Sequence, residues 1–473
     1  MKLRSALLII LAMLLCGCTD APEPTTVPTT QAPTEPTETQ AVWVPYDGNS
    51  KHYTYLYTEG RNRDWEEDIL YFGDVYLDEY PVLTHFPSRI DYGIEIEYSD
   101  EFYNPQMRQT FLTGINDLIQ NVPALSDMEI LYEMQRMLAL LQDGHTCLWI
   151  DGEKGFPIGF QEFYENGEYV FYVTLLPEEH VSLIMSKLTG INDIPLDGVI
   201  SRLTPYISTE NIYNLLDNLS GGSSLGNLSN LEILQIAGIA EGDSVVYNLE
   251  TEYGLPIRLK LESQSYAEMV GFNFVGHTHM GAYPEIYGEN NPAFFYKWME
   301  NNTMMYVRIN EFDYMDDYTF LQFGNDIIRE LREQGGARKL VVDLRRNPGG
   351  YQFYGYDEFI NALKRMEFDS LYVLIDQGSF SCAVITAGEI KKAFPAAVLV
   401  GTPAGQPANF FAGMNLVDYA LPNSKVLCPM PLNYYRVLPE NHDDALMPDI
   451  LVYPTISDYK QCIDTILEAV KAQ

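Results

Sequence analysis

The chain has 473 residues, 46% of them hydrophobic, which supplies enough apolar material for a sizeable buried core and excludes a disordered or fibrous chain. Lysine and arginine number 29 against 66 aspartates and glutamates, a formal charge of −37, and such a surface repels phosphate backbones instead of neutralising them. The composition therefore argues against nucleic acid as a partner and describes an acidic globular protein rich in tyrosine.

Lys2 and Arg4 precede a continuous apolar run from Ala6 to Leu15, the charged n-region and short h-region of an export signal, too short to span a bilayer as a mature helix. Leu15-Cys16-Gly17-Cys18 follows, and a small residue ahead of cysteine resembles the lipobox of bacterial lipoproteins. That resemblance implies removal of residues 1–17, a lipid on Cys18, and attachment to the outer face of a bacterial cell membrane. From Thr19 to Gln40 the chain is almost entirely Thr, Pro, Ala, Glu and Gln, so residues 18–45 read as an extended tether. The later cysteines, Cys147, Cys382, Cys428 and Cys462, lack the spacing of a zinc site.

Residues 46–150 carry helical periodicity: Ile69, Leu70, Val75 and Tyr76 in one segment, Phe111, Ile115, Leu118 and Ile119 in another. Ser126-Asp127-Met128-Glu129 is a capping box, followed by an apolar stripe of Ile130, Leu131, Met134, Met137, Leu138 and Leu141. Gly144 is placed to end that helix, which leaves His145 just past its terminus. Residues 151–300 mix strand-like runs such as Tyr169 to Leu175 with helical ones, and Leu188 to Leu196 loosely resembles a strand-turn-strand of PDZ domains.

Residues 301–473 alternate β and α: Met304 to Ile309, a helix from Asp317 to Gln334, Lys339 to Asp343, a helix around Asp357 to Arg365, Leu371 to Ile375, a helix from Ala383 to Ala393, and Val398 to Val400. The strands are apolar on both faces, which predicts an α/β sheet covered by helices.

Ser381 lies in the turn between a buried strand and a helix, where backbone N–H groups and the helix dipole favour a developing oxyanion; a serine there can also act only as a helix cap. Asp343 to Gly350 closes a second buried strand with paired glycines, whose backbone can approach a ligand closely.

Taken with Asp143-Gly144-His145-Thr146, Tyr306-Val307-Arg308-Ile309, Gly401-Thr402-Pro403-Ala404-Gly405 and Pro448-Asp449-Ile450, these segments resemble the tail-specific, C-terminal-processing serine proteases, and more closely their tricorn-like branch. The resemblance implies a crotonase/ClpP-like core and a peptide-bond hydrolase acting on peptide or protein substrates without cofactor or metal. It implies Ser381 as nucleophile, with Gly349 or Gly350 and the N–H of Cys382 as oxyanion donors. Many members pair the serine with a lysine, but the corresponding region here reads Gly405-Gln406-Pro407-Ala408-Asn409, and Lys391 and Lys392 lie too far along the helix that Ser381 opens. The tricorn-like branch uses a histidine, which implies His145 as general base and a rate that rises with pH as the imidazole loses its proton. A supporting carboxylate is expected from Glu440, Asp443 or Asp444, with Glu440 the choice by motif.

Gly222-Ser223-Ser224-Leu225-Gly226 matches a nucleophile-elbow pattern without a buried strand before it, and His277-Thr278-His279 lacks further metal ligands nearby. The alternative to a peptidase is an inactive member binding a peptide or apolar ligand in the same cleft, as the family's retinoid-binding relatives do.

Overall fold

The computed structural model describes residues 60–85, 89–91, 94–96, 101–150, 152–221, 225–276, 292–312, 318–350, 356–413 and 417–473. The export signal, Cys18, the tether, most of the Gly222–Gly226 motif and His277-Thr278-His279 lie outside these residues. The chain forms two compact units: Met1–Ile130 with Leu148–Asp151 and Val417–Met430, and Leu131–Cys147 with Gly152–Leu416 and Pro431–Gln473.

In the first unit, helices Arg61–Glu79 and Pro105–Asn121 pack through Phe72, Tyr76 and Phe111, with ring centroids 5.1 to 5.9 Å apart. Gly73 permits the close approach, since a Cβ there would lie 3.1 Å from Ile115. Leu70 does not join this core; it is 49% exposed, on the outer face of its helix. The capping box forms as its spacing requires: Glu129 Oε2 accepts from the Ser126 N–H at 2.7 Å, and Ser126 Oγ accepts from the Glu129 N–H at 3.2 Å. The helix it starts, Asp127–Ala139, is shared by both units and stops short of Gly144; Gln142, at φ 53°, takes the left-handed position instead.

Among the described residues, the second unit holds two large sheets and two two-stranded ones. In an antiparallel seven-stranded sheet, Gly159–Glu165 and Glu168–Pro177 form a hairpin, with Asn166 and Gly167 at φ 54° and 95° in the two-residue turn. The helix Ile212–Ser220 touches the first strand of that hairpin.

The other large sheet follows the β/α alternation read from the sequence. Phe294–Met299 pairs antiparallel with Met304–Ile309, and Ala337–Asp343, Phe368–Ile375, Val398–Gly401 and Ile450–Leu451 then follow in parallel, in chain order. Alternate side chains divide between two faces. Val307, Leu340, Val342, Val373 and Ile375 pack with helices Phe320–Gln334, Tyr356–Leu363 and Cys382–Ala393, whereas Tyr306, Val341, Leu374 and Val400 pack with Thr465–Lys471. Because Asp343 and Leu374 are paired in parallel register, the loops that follow these two strands emerge side by side.

A buried ion network ties this sheet to the C-terminal helix. Asp343 accepts from Arg308 at 2.8 Å, Tyr306 at 2.7 Å and Arg345 at 2.6 Å, and Arg345 also reaches Asp464, the N-cap of Thr465–Lys471, at 2.7 Å. Burial alone would raise the Asp343 pKa, but Arg345 and Arg308 outweigh it and hold it at about 2.

Candidate active site

Ser381 precedes the helix Cys382–Ala393 at φ 52°, ψ −120°, a backbone state that L residues avoid and that costs about 1–3 kcal/mol. Its hydroxyl makes no capping bond to that helix. The neighbouring Ser379 does the holding: its Oγ donates to the Leu344 carbonyl at 2.9 Å and accepts from the Asp376 N–H at 3.0 Å. Ser381 is thus turned out of the helix axis, and its Oγ lies 3.1 Å from Nε2 of His145. The two residues are separated by most of the second unit's sequence and meet within that unit.

His145 is set by its own turn. Asp143 Oδ1 accepts from the His145 N–H at 2.9 Å, and the Asp143 carbonyl accepts from the Thr146 N–H and hydroxyl at 3.0 and 2.8 Å. The imidazole stacks with Phe380 and Phe410, with centroids at 4.8 and 6.0 Å, and its side chain is 10% exposed. Gly144 is needed for closeness, since a Cβ would fall 2.7 Å from Glu210 Oε2 and 2.9 Å from Phe380.

The carboxylates beside the ring are Asp143 and Glu210, 3.7 and 3.9 Å from Nδ1. Glu440 is not there: it is exposed, as are Asp443 and Asp444, because the segment after Val437 runs along the surface. Glu210 carries no motif. It precedes Asn211, which caps Ile212–Ser220 and donates to the carbonyls of Ala404 and Asp444 at 3.3 and 2.9 Å, so tertiary contacts alone bring it to the site. Burial and then the Asp143 charge raise Glu210, against the pull of His145 and Gln406, to about 7.

Gln406 sits among these groups. Its Oε1 accepts from the Ser381 N–H at 2.5 Å, and its Nε2 donates to Glu210 Oε1 and lies 3.4 Å from His145 Nδ1.

The paired glycines stand at φ 104° and 121°, and a Cβ on Gly349 would lie 2.5 Å from Ser381 Cβ. The Gly349 N–H donates to Asn347 Oδ1 at 2.8 Å, which removes it from the expected oxyanion donors. Gly350 and Cys382 remain: Gly350 beside Phe312, and Cys382 as the first helical residue, where N–H groups point out of the helix terminus. The Cys382 thiol donates to the Gly350 carbonyl and holds the two together.

Behind the Ser381 turn lies a second acidic group. Gln377 donates to Glu162 Oε1 at 2.5 Å, Asp376 Oδ1 accepts from the N–H groups of Arg346 and Gly378 at 2.7 and 3.1 Å, and Asp217 packs against Gly378. Burial, then Glu162 and Asp376, raise Asp217 to about 7 against the attraction of Arg346.

Donor atoms of Asp143, His145 and Glu210 all lie within 4.8 Å of one another, a spacing a cation could bridge. Asp143 is engaged by the His145 N–H, Glu210 Oε1 by Gln406 and His145 by Ser381, while the buried Glu210 Oε2 has no hydrogen-bond partner among the described residues.

No family model and no curated relative matches the sequence. Among solved structures, mature CPAF in complex with lactacystin superposes at TM-score 0.53 and 11% identity, over 87% of this chain and 97% of that one. A CPAF mutant gives TM-score 0.56 and 11% identity, over 85% and 95%. The chain has the tail-specific protease fold. The photosystem II D1 C-terminal processing protease lies further off, at TM-score 0.41 and 14% identity over 86% and 96%. Of the two lysines on the helix that Ser381 opens, Lys391 is paired with Asp449 at 2.6 Å and Lys392 with Glu389 at 2.6 Å.

Proposed function

We propose that the protein is a serine peptidase, with Ser381 as nucleophile and His145 as general base, held at the outer face of a bacterial membrane by a lipid on Cys18. The 3.1 Å approach of His145 Nε2 to Ser381 Oγ, made by a serine in a strained conformation that caps nothing, carries the reading. Oγ attacks the scissile carbonyl carbon as its proton passes to Nε2. The resulting oxyanion is met by the N–H groups of Gly350 and Cys382 at the positive end of the helix Cys382–Ala393. The imidazolium returns its proton to the leaving amine, and water then hydrolyses the acyl-enzyme by the same base. Asp143 and Glu210, within 4 Å of Nδ1, stabilise the imidazolium.

A fluorophosphonate probe tests this reading directly: it should label the intact protein and fail to label Ser381→Ala and His145→Ala. Equal labelling of wild type and Ser381→Ala would overturn it. Lactacystin, with which mature CPAF has been solved in complex, should compete with the probe. Mass spectrometry of the mature N-terminus tests the anchor, which an unmodified residue other than Cys18 would refute.

A further inference from the structure

Gln406 has a chemical consequence for His145 that follows from which of its atoms are donors. Ser381 N–H is a backbone donor, so the Gln406 atom facing it must be the carbonyl Oε1. Nε2 then faces Glu210, an acceptor, and the reverse orientation would set N–H against N–H and oxygen against oxygen. The amide is therefore fixed at both ends. One hydrogen of Nε2 goes to Glu210 Oε1, and the other is directed at the third neighbour, His145 Nδ1, at 3.4 Å.

Nδ1 thus meets a donor. The two carboxylates that could take a proton from it, Asp143 and Glu210, stand at 3.7 and 3.9 Å, beyond hydrogen-bond distance. A neutral imidazole in this setting carries its hydrogen on Nε2 and donates it to Ser381 Oγ. That tautomer cannot accept the serine's proton, because a general base needs the lone pair on Nε2 and the hydrogen on Nδ1. The rings of Phe380 and Phe410 stack with the imidazole and oppose its tilting, while a change of partner at Nδ1 needs no tilt of the ring.

We propose that Gln406 is a positioning residue that holds His145 in the resting tautomer, and that the site becomes competent when the amide withdraws from Nδ1, Nδ1 takes up a proton from solvent as Nε2 releases its own to solvent, and Glu210 closes to accept the new Nδ1 hydrogen. Glu210 is suited to that exchange, because it contacts the amide and lies beside the ring. The inference rests on the peptidase reading, and its test reads the imidazole directly.

Long-range 1H–15N correlation spectra of protein labelled with 15N-histidine distinguish the tautomers, and His145→Ala assigns the signal among the seven histidines of the sequence. With the imidazole neutral, the wild type should show the hydrogen on Nε2. Gln406→Met, which removes the N–H, should shift the tautomer ratio at least tenfold toward Nδ1–H. A wild-type spectrum with the hydrogen on Nδ1, or a ratio unmoved by Gln406→Met, would overturn the proposal; if that variant does not fold, the wild-type spectrum alone decides. Fluorophosphonate labelling of the same sample separates the two readings: a labelled protein already in the Nδ1–H form sinks only the latch, and an Nε2–H protein that no condition renders reactive sinks the peptidase.

Discussion

Asp217 offers a test of the electrostatics behind the Ser381 turn. A Cβ on Gly378, in the turn that delivers Ser381, would lie 3.2 Å from Asp217 Oδ1, and burial with Glu162 and Asp376 raises Asp217 from 3.8 to about 7. An acid whose folded pKa exceeds its unfolded one contributes stability that is fully present below the unfolded value and is lost as pH rises through the folded value. A shift of roughly three units corresponds to as much as ~4 kcal/mol lost by pH 8, of which ~3 kcal/mol disappears between pH 5 and pH 8. Asp217→Asn keeps the shape and removes the charge. In urea denaturation the variant should therefore gain on the wild type by ~3 kcal/mol more at pH 8 than at pH 5. A gain of equal size at both pH values, or a net loss at pH 8, would refute this account of the cluster.

Ser381→Ala and His145→Ala should each lower peptide cleavage by several orders of magnitude, and the double variant should be little worse than either; multiplicative losses would mean the two do not act as one unit. Glu210→Gln should cost about tenfold or more in kcat, whereas Glu440→Gln should leave it unchanged, and the opposite ranking would return the supporting role to Glu440. Since Glu210 ionises at about 7, its support is present above that pH and lost below it, so wild-type activity should fall on acidification through neutrality and Glu210→Gln should show less of that fall. Asp343→Asn leaves Arg308 and Arg345 buried without their shared anion and should destabilise by about 3–5 kcal/mol at pH 7 in chemical denaturation. The contribution of Asp343, whose pKa is depressed to about 2, is present above its unfolded value and lost as pH falls through about 2, so the gap between wild type and variant should narrow in acid.

The α/β core was legible because its determinants are local. Met304–Ile309 is a strand with the bounds its apolar run predicts, the helix after Ser381 begins one residue before the expected Ala383, and Ser126 and Glu129 cap a helix through contacts three residues apart. The Ser381 and paired-glycine turns could be placed near each other from sequence, because both follow parallel strands of one sheet. The expected lipid anchor and tether rest on sequence alone. Only tertiary structure decided which groups surround the imidazole. Glu210 comes from a segment with no motif, and its position depends on Asn211 bonding to the carbonyls of Ala404 and Asp444, residues remote in the chain. Glu440, chosen by likeness of motif, lies exposed, and Gly349, chosen for its glycine, spends its N–H on Asn347. Strand and helix periodicities are written in neighbouring residues, whereas the partner of a buried hydrogen-bonding group is set by whatever the folded chain brings within 3 Å, and spacing along the sequence carries no record of it.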